Sequence, residues 1–220
     1  MKKIIAVCAT ALNLLCAQIN FEGAKAHDDA IVAYNEKRFG DAARLLKISC
    51  DKNIASGCFN LAFLYEEGEG VARDDAKAAQ LYDKACYLGS ASACNNLSIR
   101  YRQGRGVKKD VKKANDLAKK ACDAGKPQGC VFIGKAYYDG EGIKKDYKKA
   151  AEFYKKSCDQ NHATGCMLLG ILYEDGLGVK RDLQTAKSTT QKSVKWAKIW
   201  AASSTKRQNR SNLKNKTDKI

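Results

Sequence analysis

The sequence predicts an all-α fold: a right-handed superhelical solenoid of stacked αα-hairpins, stapled by disulfides. Three observations predict it. A pattern of small, apolar and glycine residues returns every 36 positions. Eight cysteines fall in four pairs, each pair spaced by eight and displaced from the last by the same 36. Between the pairs, apolar residues recur at helical rather than strand spacing.

The elements follow in chain order. Lys2 and Lys3 precede a mostly apolar run from Ile4 to Ile19, and Ala24-Lys25-Ala26 supplies a small-x-small cleavage pattern. Residues 1–26 therefore read as a cleaved secretory signal. Leu14 and Leu15 before Cys16 are the wrong residues for a lipid-attachment site. The apolar run is too short and interrupted to span a bilayer, and no later stretch is apolar enough, so no stable membrane insertion is expected. Residues 27–50 form a half-unit without an upstream cysteine, suited to cap the array, and residues 51–186 form the repeats proper.

Each repeat position has a physical task. In the first unit Leu61, Ala62 and Tyr65 lie on one helical stripe, where the alanine admits a neighbouring helix and the tyrosine fills the groove beside it. The later units place Leu97, Ser98 and Tyr101, then Ile133, Gly134 and Tyr137, then Leu169, Gly170 and Tyr173 in the same register. Gly68 and Gly70 end the helix, Val71 anchors the loop, and Asp74 is the expected N-cap of the next helix. That helix carries Ala78, Ala79, Leu81, Tyr82 and Ala85. Pro127 falls at a helix start, where proline is tolerated. Ser98, Asn115 and Ala118 depart from the pattern in the second unit.

With the leader removed, the cysteines are Cys50, Cys58, Cys86, Cys94, Cys122, Cys130, Cys158 and Cys166. An even, regular set in an exported chain reads as a disulfide framework. The repeat favours bridges from each cysteine to the one eight residues on, across a turn that includes Asn53, Gly89, Gly125 or Asn161. Each bridge then pins two antiparallel helices at their shared end and contributes roughly 2–3 kcal/mol in the chain-entropy model. Zinc is the competing reading. It usually takes spacings of two to four with histidines nearby, and His27 and His162 are the only histidines. No metal and no cofactor are expected.

The formal charge of +16 is unevenly placed. Residues 27–179 carry 25 basic and 21 acidic side chains, whereas 180–220 carry 12 and two. The body is an ordinary mixed surface and the basicity belongs to the tail. Lys108, Lys109, Lys112 and Lys113, and Lys144, Lys145, Lys148 and Lys149, cluster at helix starts among interleaved acids, so nucleic acid is not an expected partner.

The Leu-Gly-x-x-Tyr, Gly-x-Gly-Val, Asp and Ala-x-x-x-Tyr elements resemble Sel1-like repeats, relatives of tetratricopeptide repeats. With cysteines eight apart in every unit, the sequence is most similar to the Helicobacter cysteine-rich proteins, over about residues 28–186. That resemblance implies a monomeric, secreted or periplasmic scaffold that binds a protein or peptide in a concave groove. By analogy the groove includes Phe59, Phe63, Glu67, Asn95, Ile99, Arg102, Gln103, Val131, Lys135, Tyr138, Met167 and Ile171. Asn95, Arg102, Gln103, Lys135 and Tyr138 are its candidate polar contacts, suited to an extended peptide or a peptidoglycan stem.

Members of that family have been described as penicillin-binding proteins or weak β-lactamases, so the resemblance also implies a β-lactam ligand and hydrolase activity as an alternative. The residues supply no catalytic constellation for it. Ser49-Cys50-Asp51-Lys52 and Ser203-Ser204-Thr205-Lys206 fit Ser-x-x-Lys, but neither Ser-Asp-Asn nor Lys-Thr-Gly occurs. The first match reads as a helix end beside a disulfide.

The tail breaks the pattern. The repeat calls for cysteine at 194, where Val194 stands, and from Lys187 the apolar periodicity gives way to Ser, Thr, Lys and Arg. Residues 187–220 read as a basic non-repeat tail, and the codons suggest its origin. Lys195-Trp196-Ala197 and Trp200-Ala201 each force a glycine codon two nucleotides on. That frame permits cysteines eight apart, with glycines at the repeat's usual places. The expectation is a frameshift near Lys187, which codons at Ser193 and Ala201 unable to yield TGT and TGC would refute.

Overall fold

The structure is a computed structural model that describes Gln18 and residues 21–217; the side chains of residue 200 and of 203 onward are not described. Most of the predicted leader, and with it Cys8 and Cys16, lies outside the described residues. Its last part, residues 21–26, belongs to a helix that runs through 35 (α1), in which Gly23 and Ala26 are buried. All described regular structure is helical, and the chain divides into two compact units, Met1–Ala124 and Gly125–Ile220.

The first unit holds α1, then α2 (Phe39–Asp51), α3 (Ala55–Glu67), α4 (Asp75–Tyr87), α5 (Ala91–Gln103) and α6 (Val111–Asp123). From α2 onward each helix packs on the next. The second unit holds α7 (Pro127–Asp139), α8 (Tyr147–Asp159), α9 (Ala163–Asp175) and α10 (Leu183–Thr217), again packed in sequence, and α7 also touches α9. Helices α2 to α9 are all 13 residues long, the spacing that a 36-residue hairpin repeat imposes.

Local chemistry sets those bounds. Asp74, Asp110, Asp146 and Asp182 each accept a hydrogen bond, at 2.9–3.0 Å, from the backbone N–H three residues on. These are the predicted N-caps, and they satisfy donors that otherwise lack partners at a helix start. Helices α3, α5, α7 and α9 end on Gly68, Gly104, Gly140 and Gly176 in the left-handed region. Gly106, at φ +69°, shows why the loop needs a second glycine: a Cβ there would collide with the backbone carbonyl of Asp75.

The cores follow from small residues packed against large ones. In the first unit Ala62, Ala78, Ala85 and Ala93 are fully enclosed around Tyr82, Leu64 and Leu97. In the second, Ala150, Tyr154, Leu169 and Leu172 play the same parts. Burying each such leucine is worth about 1.5–3 kcal/mol. Gly134 is required because a Cβ there would meet the Tyr154 ring, which is the close approach predicted for the small position.

The predicted bridges Cys50–Cys58, Cys86–Cys94 and Cys158–Cys166 are formed, with Cα atoms 4.5, 4.7 and 4.4 Å apart. Cys122 and Cys130 are likewise oxidised. The turns they span place Asn53, Gly89, Gly125 and Asn161 at positive φ, as expected.

The tail, read from sequence as non-repeat, is the continuation of α10. At Ala186 the helix still buries a repeat position. Beyond it Thr190 takes the place that Tyr82 and Tyr154 hold in earlier repeats, and Val194 takes the place of cysteine. Thr190 and Val194 are exposed.

Candidate functional site

The first helix of each hairpin (α3, α5, α7 and α9) carries the candidate face, whose positions recur one turn apart. On α3, Phe59 lays its ring 5.6 Å from that of Tyr82, whereas Phe63 is 40% exposed. On α5, Asn95 is buried and its amide oxygen has no hydrogen-bond donor, Ile99 is half-buried, and Gln103 is exposed. Arg102 turns inward and donates to the Asn115 side-chain oxygen at 3.0 Å. The candidate residues of the first unit thus divide, with Gln103 at the surface, Arg102 engaged, and Asn95 part of the interior.

In the second unit Lys135 is exposed on α7 and pairs with Asp139 at 2.6 Å. Tyr138 packs edge-on against Tyr147, with ring centres 5.2 Å apart. On α9, Met167 and Ile171 stand one turn apart and are 43% and 40% exposed.

A hollow of about 220 Å³ opens in the first unit, between α1, α2 and α3. Ala30, Ile31, Tyr34, Leu46, Asn60, Phe63 and Leu64 line it. Its polar groups are engaged: Asn60 pairs with His27 at 3.1 Å, and the Tyr34 hydroxyl donates to Glu69 at 2.8 Å.

A charged cluster missed in the sequence lies one repeat on. Arg100 occupies the position held by Leu64, Ala136 and Leu172, yet is only 2% exposed. Its guanidinium lies 3.0 Å from Glu66 and 3.1 Å from Asp75, and 5.3 Å from the centre of the Tyr82 ring. Arg105 meets the same two acids at 3.0 and 2.8 Å, and the Tyr82 hydroxyl donates to Glu66 at 2.8 Å. Burial opposes ionisation of Asp75, but hydrogen bonds from Arg100 and Arg73 and the charge of Arg105 outweigh it and lower its pKa. Burial pushes the Tyr82 phenol up. Every acid here has a cation, so the cluster ties hairpins together rather than offering a free charge. An arginine at a leucine position was the available signal.

Ser49, of the Ser-x-x-Lys match, is fully buried, and Cys50 beside it is in a disulfide. The side chains of Ser203 to Lys206 are outside those described. Among the described residues no group of His, Cys, Asp and Glu could hold a metal ion, and no helix is long and apolar enough to cross a membrane.

Capped 13-residue helices paired by glycine loops and cysteine bridges define an αα-hairpin repeat scaffold. The Sel1 repeat family model matches residues 55–90, 91–126, 127–162 and 163–188, and the chain belongs to that family. The last match stops at 188.

Two solved structures, from Escherichia coli and Oxalobacter formigenes, support the same fold. The chain is similar to c5321 of uropathogenic Escherichia coli, a protective antigen displaying an SLR fold, at 26% identity and a TM-score of 0.69. That match covers 71% of this chain and 33% of the other, so the chain spans about a third of the relative's length. A Sel1 repeat protein from Oxalobacter formigenes is 25% identical with a TM-score of 0.71, over 77% of this chain and 69% of that one. Helicobacter pylori cysteine rich protein B is 34% identical over 56% of this chain and 89% of its own, with a TM-score of 0.47. No curated protein matches the chain.

Proposed function

We propose that this Sel1 repeat scaffold works outside the cytoplasm and that the exposed first-helix faces of each unit bind a protein or peptide segment. The observations that carry the proposal are the exposure of Met167 and Ile171, one turn apart on α9 in the second unit, and of Phe63 on α3 in the first. Apolar side chains accompanied by polar ones such as Gln103 and Lys135 suit a partner whose side chains alternate between anchoring and solvation. The location is supported by eight oxidised cysteines, which persist in oxidising compartments, and by the leader-like residues 1–26 in the sequence.

The test is a selection of random peptides on the oxidised protein, followed by affinity measurements on variants. Phe63→Asp should weaken peptides that bind the first unit, and Ile171→Asp those that bind the second, at least ten-fold each. Tyr87→Ala, which alters an 84%-exposed ring on the opposite helix of its hairpin, should leave them unchanged. Peptides that bind equally well to all three variants would place the binding surface elsewhere.

A further inference from the structure

The hollow between α1, α2 and α3 has an internal template. Its wall residue Leu46 stands one repeat before Tyr82, and Asn60 and Leu64 stand one repeat before Asn96 and Arg100. In the later repeat, Tyr82 fills the corresponding space. Its ring lies under Arg100, and its hydroxyl donates to Glu66 at 2.8 Å. Leu46 has no ring and no hydroxyl, and the volume that tyrosine takes one repeat on is open here, with Ile31 and Phe63 exposed on its rim. Tyr82 and Tyr154 thus bury a phenol at this position, whereas at Leu46 the position lines an open hollow.

We propose that the open slot is an anchor site for one aromatic side chain, tyrosine before phenylalanine, presented by a bound peptide. This deepens the proposed function and rests on it. The walls choose the chemistry. Ala30, Ile31, Leu46, Phe63 and Leu64 offer apolar contact on several sides of a flat ring, while Asn60, whose Nδ2 meets His27, places its amide oxygen at the wall as the acceptor for a phenol. An amphipathic ring with a polar tip satisfies both. The size chooses the mode of binding. At about 220 Å³ the slot is smaller than the roughly 300–1,000 Å³ of pockets that enclose whole small molecules, so it takes one group of a larger partner.

The probes are N-acetyltyrosinamide, N-acetylphenylalaninamide and N-acetylalaninamide, titrated into the isotope-labelled, oxidised protein and followed by NMR. The tyrosine derivative should bind saturably, with a dissociation constant on the order of 1 mM for one buried ring. Ring protons of the probe should give nuclear Overhauser contacts to the methyls of Ile31, Leu46 and Leu64. The phenylalanine derivative should bind about five-fold more weakly for want of one hydrogen bond, and the alanine derivative should not bind. Leu46→Tyr, which copies the closed slot, should weaken binding at least ten-fold while leaving the thermal midpoint unchanged or higher. Asn60→Ala should erase the preference for tyrosine.

Contacts from the probe to other residues, or no binding up to the probe's solubility, overturn the proposal, and so does undiminished binding to a folded Leu46→Tyr protein. The Overhauser contacts are read on the unaltered protein and decide the question even where that variant does not fold. If selected peptides bind the first-helix faces while the tyrosine probe does not enter the slot, the anchor site fails and the scaffold function stands. If the probe enters and no peptide binds, the reverse holds.

Discussion

Ser49 and Gly57 face each other across a disulfide-closed turn, and the repeat one step on has solved the same contact differently. A Cβ on Gly57 would run into the Ser49 hydroxyl, whereas Ala85 and Ala93, the equivalent pair, coexist fully buried. The Ser49 hydroxyl is buried with no hydrogen-bond partner. Gly57→Ala alone should gain about 1 kcal/mol of helix propensity and lose about 1–3 kcal/mol to overpacking. Ser49→Ala alone should be neutral or stabilising, because an unsatisfied buried hydroxyl costs about 1–3 kcal/mol. The double substitution recreates the alanine pair and should stabilise the protein by about 1–3 kcal/mol, more than the single effects sum to. The last repeat supplies the control. There Ser157, facing Gly165, donates to the Pro127 carbonyl at 3.0 Å, so Ser157→Ala should cost about 0.5–1.5 kcal/mol instead. Urea unfolding of the oxidised proteins, followed by far-ultraviolet circular dichroism, measures all of these. Additivity at Ser49 and Gly57 within about 0.3 kcal/mol, or equal effects of the two serine substitutions, would refute the reasoning.

Three further outcomes follow from the same contacts. Arg100→Ala should cost about 1.5–3 kcal/mol, because it removes hydrogen bonds to two acids that Arg105 still pairs. Arg100→Leu should cost less, since Leu64 and Leu172 fill that position in other repeats; equal losses in urea unfolding would discount the packing argument. His162 has its pKa lowered by burial and by the charge of Lys126. The folded protein therefore binds its proton less readily than the unfolded chain does. Stability should fall as the pH drops below the ordinary histidine value of 6.5 toward the folded value, and His162→Asn should flatten a plot of urea midpoint against pH there. Reduction with dithiothreitol should lower stability by roughly 2–3 kcal/mol for each eight-residue bridge, and a thermal midpoint unmoved by complete reduction would deny the bridges a structural role.

What the sequence disclosed and what it hid have one physical explanation. Periodic requirements are legible because each is met several times over. Four aspartates cap four helices, four glycines end four helices in the left-handed region, and cysteine pairs close each turn at a fixed spacing. Features that depend on one residue differing from its repeat partners are legible only as departures, and a departure does not state what compensates it. Ser98 and Asn115 break the pattern, yet Ser98 donates to the Ala114 carbonyl at 2.7 Å and Asn115 receives Arg102. Arg100 looks like an error at a leucine position until Glu66, Asp75 and Arg105 are placed around it. Asn95, expected on the binding face, is drawn into the interior, where a sequence period cannot tell an exposed helix flank from one covered by the next hairpin. The open slot belongs to the same class. Leu46 is an ordinary apolar residue in its own helix, and only the tyrosine one repeat later reveals that it leaves a ring-sized volume unfilled. In a repeat protein the comparison of a site with its own other copies therefore carries functional information that composition and spacing do not. The place to look for a ligand is where one copy omits a side chain that another copy supplies.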